Sequence, residues 1–360
     1  MNYKVTPLYE ECKKLGGRFI EFGGWYLPLQ FEGIVVEHSH VRQKVGIFDC
    51  SHMSEFVVEG KEGISKFSSY SCEDFLSLPV GKCRYTALVD TQGVIVDDIV
   101  GFKLDEQTLF IVGNASMREK TANLICGLDV GGEDISDELV KIDIQGPKSR
   151  DVLLSLGFDF VKDMKFWTGK ECFWGKRIMI VTRAGYTGEL GYEFYLSQDM
   201  GIEIWRMLTA NPLVKPCGLG ARDTLRTEMG FPLSGQDIMP GMTPLNASMD
   251  RFINWNHQFY GKDIILKQKE DNTYPRLMSI RTYTRQAPRH GQRLLSDGVQ
   301  KGIVTSGTFG PSVGTGVGIG YLESEVAFPG TQLQVEGKDL RVEVCETPIY
   351  KNGTARVKFS

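Results

Sequence analysis

The sequence predicts an α+β protein, with antiparallel sheets and flanking helices over most of its length and a small β-barrel or sandwich at the C-terminal end. Three observations carry this. Short β-branched runs recur with turn residues between them. Helical stretches alternate with strands joined in hairpins, which implies antiparallel sheet with helices on one face and not a doubly wound nucleotide fold. Beyond about Glu270 helical periodicity disappears, and glycines between Gly291 and Gly320 punctuate short strands.

Taken in order, Glu55 to Val58 reads as a strand and Glu62 to Tyr70 as a short amphipathic helix. Arg84 to Val89 and Val94 to Phe102 are strands joined by the loop Asp90-Thr91-Gln92-Gly93. A strand from Thr108 to Val112 and a helix from Met117 to Ile125 follow. From Leu139 the run I-D-I-Q-G-P is a strand with a Gly-Pro stop. Arg177 to Thr182 and Tyr192 to Leu196 are strands; Ile202 to Leu208 and Leu219 to Met229 are helices. The segment K-Q-K-E-D-N-T-Y-P, near residues 268–276, reads as a polar linker before the β-rich end.

At 360 residues the chain has room for two or three domains, each with its own core. A formal net charge of −4 suggests no nucleic-acid partner, which would call for a concentrated basic surface. Eight scattered cysteines with no C-x-x-C pair, and only five histidines, predict no metal site and no redox dithiol. Reduced, mostly buried thiols in a cytoplasmic protein fit this pattern. The N-terminus has no apolar core of a signal peptide, and no run of about 18 apolar residues predicts a membrane span. The stretch G-K-E-C-F-W-G-K-R fails as a P-loop, G-L-G-A-R-D lacks the third glycine of a dinucleotide fingerprint, and neither G-x-S-x-G nor H-E-x-x-H occurs. What is left is chemistry by binding and positioning, with acid–base help.

Three segments stand out for such chemistry. In V-I-V-D-D-I-V-G-F, strand alternation puts Ile95, Asp97 and Ile99 on one face and Val96, Asp98, Val100 and Phe102 on the other. A carboxylate among aliphatic side chains is costly unless paired. One reading is an edge position and a loop cap; the other is a carboxylate kept dry to bind or deprotonate an amine. Periodicity does not choose between the two aspartates. In V-T-R-A-G-Y-T-G-E-L-G-Y-E, Arg183, Tyr186, Glu189 and Glu193 surround glycines that let backbone approach a flat ligand, or form an ordinary turn with surface glutamates. In G-L-G-A-R-D-T-L-R-T-E, Asp223 can serve Arg226 at i,i+3, while Arg222 sits near a helix start where the dipole disfavours a cation. Arg222 is thus the better partner for a ligand carboxylate, against the alternative of an interdomain salt bridge. The run I-V-T-S-G-T-F-G-P-S-V-G reads as a barrel hairpin with structural glycines.

In order and spacing these segments, with T-P-L-Y-E, F-G-G-W-Y-L-P-L, E-H-S-H-V-R-Q-K-V-G-I-F-D-C-S-H-M-S-E, R-Y-T-A-L, V-G-N-A, G-Q-D-I and F-Y-G-K, resemble the glycine cleavage T protein (aminomethyltransferase) family along nearly the whole chain. The resemblance implies a three-domain cloverleaf with a central folate channel. It implies a folate-binding domain of residues 1–50 plus 138–268, a ferredoxin-like domain of 51–137 and a C-terminal barrel of 269–360. It also implies transfer of an aminomethyl carbon from the lipoyl arm of a carrier, the H protein, to tetrahydrofolate with release of ammonia. By position, Asp98 is the folate-facing carboxylate that assists the transfer. Tyr85, Asn114, Tyr186 and Glu193 match residues lining the pterin pocket; Arg222 matches an arginine near the folate, and Arg356 a C-terminal basic residue. There are departures. Ser234 stands where L-Y-G-Q is usual, Gly113 where V-V-N-A is usual, Ala184 where R-T-G-Y is usual, and Asp250-Arg251 where Gly/Ser-Trp is usual. Because several fall near the expected site, a folate-dependent demethylase of a small methylated compound is the alternative. Folate-binding relatives of the iron–sulfur assembly type carry K-G-C-x-x-G-Q-E, and F-P-L-S-G-Q-D here has no cysteine.

Overall fold

The computed structural model describes residues 3–128 and 131–359; Met1, Asn2, Asp129, Val130 and Ser360 lie outside the described residues. Three sheets dominate. A six-stranded sheet runs in the order Gly169–Trp174, Arg177–Thr182, Gly191–Ser197, Leu139–Gln145, Val45–Asp49, Val214–Pro216. Its neighbours are antiparallel except the last, where Val214–Pro216 lies parallel to Val45–Asp49. That one parallel pair departs from the expected all-antiparallel sheets. The helix Gln198–Thr209 makes it possible by carrying the chain over two strands to the far edge. On this helix Met200, Ile204, Trp205 and Leu208 recur at helical spacing and pack onto Val140, Ile142 and Phe194.

A five-stranded sheet, wholly antiparallel, runs Cys83–Val89, Ile95–Lys103, Thr108–Gly113, Ser54–Glu59, Gly132–Asp134. On one face Ile64 and Phe67 of the helix Gly60–Ser68, with Ile125 of Arg118–Cys126, cover Phe56, Ile99, Leu109 and Ile111. The opposite face presents Cys83, Phe102, Phe110 and Val112 to Tyr195 of the six-stranded sheet. Two sheets therefore meet face to face, and the site lies along that seam. The third body is a closed barrel formed by Arg276–Thr282, Arg293–Ser296, Val299–Gly310, Thr315–Leu322, Gln332–Val335 and Arg341–Cys345. Ile280, Leu294, Val304, Leu322, Val342 and Val344 fill it. The architecture is α+β with a C-terminal barrel, as the patterning predicts.

Two differences have physical causes. The expected linker at 268–276 is helical as far as Asp271, because Lys262–Asp271 is a helix whose one buried position is Ile265; a mostly polar helix carries little periodic signal. Strand alternation also fails at one point. Leu88 pairs with Asp97 but Val89 pairs with Ile95, so Val96 is an extra residue in a β-bulge. Ile95 consequently packs with Tyr85, Ala87 and Val89, while Val96 packs beside Ile99 under the helices. The expected grouping of Ile95 with Ile99 and of Val96 with Asp98 is therefore corrected. The hairpin loop after Val89 is pinned by its neighbour: a Cβ on Gly261 would fall 2.1 Å from the Gly93 nitrogen, which accounts for the glycine of F-Y-G-K.

Candidate active site

Asp98 lies two residues beyond the bulge, opposite Ala87 and on the seam face of its sheet. It is 9% exposed. The Tyr85 hydroxyl donates to its Oδ2 at 2.9 Å, and Asn114 Nδ2 donates to its Oδ1 at 2.9 Å and to its carbonyl oxygen at 2.8 Å. The Ser234 hydroxyl reaches the same carboxylate, so the serine at the departure from L-Y-G-Q borders the site. Burial pushes the Asp98 carboxyl above its ordinary range, and the bonds from Tyr85, Ser234 and Asn114 oppose it. Burial, then the charge of Asp98, drives the Tyr85 phenol well up, so it stays a donor. Phe252 stands edge-on to the Tyr85 ring at 4.9 Å.

Asp97 is the more deeply buried of the two, at 1% exposure, and it belongs to the frame. It accepts from the Asp98 nitrogen at 2.9 Å, the Asn114 nitrogen at 3.0 Å and Asn114 Nδ2 at 2.8 Å. The Asn114 amide thus bridges both carboxyls. Burial and the neighbouring Asp98 charge push the Asp97 carboxyl up to about 8. A Cβ at Gly113 would meet Asp97 Oδ2 at 2.8 Å and Ser54 Oγ at 3.0 Å, so the glycine of V-G-N-A makes room for this carboxyl.

From Asp98 the cluster continues through the loop after Leu219–Met229. Tyr186 donates its hydroxyl to the Pro232 carbonyl, stacks on Phe231, and lies 4.9 Å beneath the Arg222 guanidinium. Arg222 already has a protein partner, the salt bridge that was the other reading: its Nη1 donates to Asp143 Oδ2 at 2.8 Å. Asp143 lies two residues from Lys141 on the Leu139–Gln145 strand, and the Lys141 ammonium bonds both Asp143 and, at 3.1 Å, Glu193. Thr182 and Tyr195 hydroxyls hold the other Glu193 oxygen at 2.9 and 3.1 Å. Burial acts to raise the Asp143 carboxyl, but Lys141 and Arg222 outweigh it and hold it low.

The structure thus brings together Asp98, Tyr85, Asn114, Tyr186, Arg222 and Glu193. Arg356 stands apart: it is exposed, with its guanidinium 6.0 Å from the Phe166 ring. Glu189 and Glu193, for which a surface turn was the other reading, are both buried, and Glu189 pairs with Arg42 at 2.8 Å. Arg183 holds the Met164 and Val357 carbonyls, a structural task. Arg226 bonds Asp223 at 2.8 Å, as spacing predicts, and also reaches Asp237 and Ser306 of the barrel run. Sequence reasoning missed Lys141, Asp143, Phe252 and His52. His52 is 7% exposed, and its Nδ1 has no partner among the described residues. Among the described residues no group of acidic, histidine and cysteine side chains is arranged to hold a metal ion, and no helix is long and apolar enough to cross a membrane.

A dry carboxylate, fixed by hydroxyl and amide donors and flanked by aromatic rings, is suited to binding and protonating or deprotonating a nitrogen. Comparison with known proteins gives the family. Residues 8–257 match the family model of the GCVT N-terminal domain, and residues 276–351 match that of the glycine cleavage T-protein C-terminal barrel domain. The aminomethyltransferase of Natranaerobius thermophilus is 35% identical, with 97% of this chain and 98% of that protein covered. That of Staphylococcus carnosus is 37% identical, covering 94% and 96%. The crystal structure of glycine cleavage system aminomethyltransferase T from Bartonella henselae superposes with a TM-score of 0.92 at 31% identity, covering 98% of this chain and 99% of that one. On this sequence and fold, the chain belongs to the glycine cleavage T-protein (aminomethyltransferase) family.

Proposed function

We propose that the chain moves the aminomethyl carbon of a lipoyl carrier, the H protein, onto tetrahydrofolate, releasing ammonia and the carrier thiol. The observation that carries this reading is the Asp98 carboxylate, sheltered on the seam and gripped by Tyr85 and Asn114. The fit of a folate rests on the chemistry of the donor set. Tyr85, Phe252 and Tyr186 offer ring faces and edges, while Asp98 and Glu193 offer acceptors to N–H groups of a pterin. Tetrahydrofolate, when bound, supplies the nitrogens that take the carbon.

In this account Asp98 hydrogen-bonds the folate beside the accepting nitrogen and takes up or returns the proton there. Asn114 and Tyr85 fix that carboxylate; Tyr186 and Arg222 stand beside the folate, and Glu193 meets the polar edge of the ring. Held reactants and excluded water supply the rate, so no covalent nucleophile is required. The domain division at 50/51, 137/138 and 268/269 is proposed with it, since the seam between the first two units forms the site. A cytoplasmic setting accords with eight free cysteines, most of them buried.

The test is a coupled assay with aminomethylated carrier and tetrahydrofolate. The account expects methylene-tetrahydrofolate and ammonia in equal amounts. Turnover only with a small methylated donor, yielding methyl-tetrahydrofolate, would overturn it.

A further inference from the structure

We propose that Lys141 and Asp143 are positioning residues of this site: from behind its wall they jointly hold Glu193 and Arg222 where these meet the folate. The inference rests on the functional reading above and extends it to two residues that touch no ligand.

The geometry points inward in layers. Lys141 and Asp143 are two apart on a strand in the sheet interior, so their side chains leave on the same face. The side chains of Lys141 and Asp143 are 1% and 0% exposed, whereas those of Glu193 and Arg222 keep 11% and 14%. The outer pair therefore keeps accessible surface and the inner pair lies behind it. Each outer group is fixed by the inner pair: Glu193 by the Lys141 ammonium, Arg222 by the second Asp143 oxygen. The remaining contacts leave each an outward edge. Thr182 and Tyr195 take one Glu193 oxygen, and Arg222 otherwise meets the Met53 sulfur at 3.9 Å and the Tyr186 ring.

Charge gives the pair its leverage. Two cations and two anions balance inside a region where an unpaired charge is costly. The other titratable neighbours are each driven toward the uncharged form by burial, which pushes the Asp49 and Glu55 carboxyls and the Cys50 thiol up and the His52 imidazole down to about 3. Neutralising Lys141 alone leaves two carboxylates facing one guanidinium, and Arg222 is drawn from Asp143 toward Glu193. Neutralising Asp143 alone leaves two cations on Glu193. Removing both charges restores balance, with Glu193 and Arg222 left to each other.

The test uses the full chain and the variants Lys141→Met, Asp143→Asn and the double substitution. Tetrahydrofolate binding is measured by quenching of intrinsic fluorescence, with turnover and thermal midpoint in parallel. Each single change is expected to weaken tetrahydrofolate binding on the order of tenfold or more, as for other groups that orient a ligand-contacting residue, with the loss in Kd exceeding the loss in kcat. The double variant is expected to bind better than either single one, and it carries the test if a single variant does not fold. Wild-type affinity in the single variants or in the double variant overturns the inference alone, whatever the change in melting, because the pair is then only structural. A double variant whose losses simply add overturns it too. A wild-type chain that binds no tetrahydrofolate removes the functional reading itself.

Discussion

Replacing Asp98 by asparagine separates the carboxylate's chemistry from its place in the fold. The amide is the same size as the carboxylate. Its oxygen can accept from Asn114 Nδ2, whose bond is now 2.9 Å, and its NH2 can face the Tyr85 hydroxyl, which turns from donor to acceptor across 2.9 Å. Both contacts therefore survive. Burial, which now holds the Asp98 carboxyl above its ordinary range, acts less severely on a neutral amide, so the thermal midpoint should hold or rise. What is lost is the group that takes and returns a proton. A positioned acid–base group is worth about 10²–10⁴ in rate, or roughly 2.7–5.4 kcal/mol of barrier. The assay is steady-state turnover with aminomethylated carrier, beside tetrahydrofolate affinity measured at equilibrium. Asp98→Asn should keep affinity within a few-fold and lose at least about two orders of magnitude in kcat. Turnover within a few-fold of wild type, with the fold intact, would refute the assignment.

Other consequences can be measured directly. Arg226→Met leaves Asp237, fully buried beside Thr305 and Ser306, without its cation; chemical denaturation should show a loss of about 3–5 kcal/mol, and a loss below about 1 kcal/mol, the range of exposed pairs, would contradict the network. Gly113→Val drives a side chain into the Asp97 carboxyl and Ser54; stability should fall by roughly 1–3 kcal/mol and turnover with it, through the displaced Asn114, whereas unchanged kinetics would detach Asp97 from the site. His52 is neutral in the fold, its pKa brought down to about 3 by burial first and then by Arg222. The unfolded chain protonates it near its ordinary 6.5, so its effect is nil above that pH and stability falls as pH drops from 6.5 toward 3. The buried Asp97 acts in the opposite sense, losing stability as pH rises from 3.8 toward about 8, so the test is a difference. Wild type minus His52→Gln should slope by up to about 1.4 kcal/mol per pH unit below 6.5; parallel curves would show that His52 takes its proton in the fold.

Much of this molecule was legible because burial and spacing leave marks in the chain. The strand Arg177–Thr182 is rich in β-branched residues, Gly191–Ser197 in aromatic ones, and the helix Leu219–Met229 stops at the left-handed Gly230. The helix Ile34–Gln43 did not: it exposes Val35 and Val36 by about half and buries Glu37 and His38, an inverted pattern that periodicity cannot recognise. The carboxylates of V-D-D-I stood out as charges in an aliphatic strand, yet alternation could not rank them, because a single inserted residue at Val96 resets which face each neighbour takes. The same signal was present in V-K-I-D-I, where Lys141 and Asp143 sit among aliphatic residues, and it went unread because an ion pair two apart on a strand also suits an exposed face. The salt bridge of Arg222 is hidden in the sequence for a related reason. Its partner Asp143 lies 79 residues away in sequence, and no local rule joins them. Ser234 lies in an isolated bridge with Ile238 and Phe252 ends the short 3-10 helix Asp250–Phe252, and the approach of both to Asp98 and Tyr85 is set by tertiary packing.

The most direct test is a crystal structure of the chain with tetrahydrofolate. The account predicts the pterin lodged on the seam between Tyr85 and Tyr186, with a folate nitrogen about 3 Å from an Asp98 oxygen and the polar edge of the ring at Glu193. Coenzyme seated elsewhere, with Asp98 turned to bulk water, would contradict it.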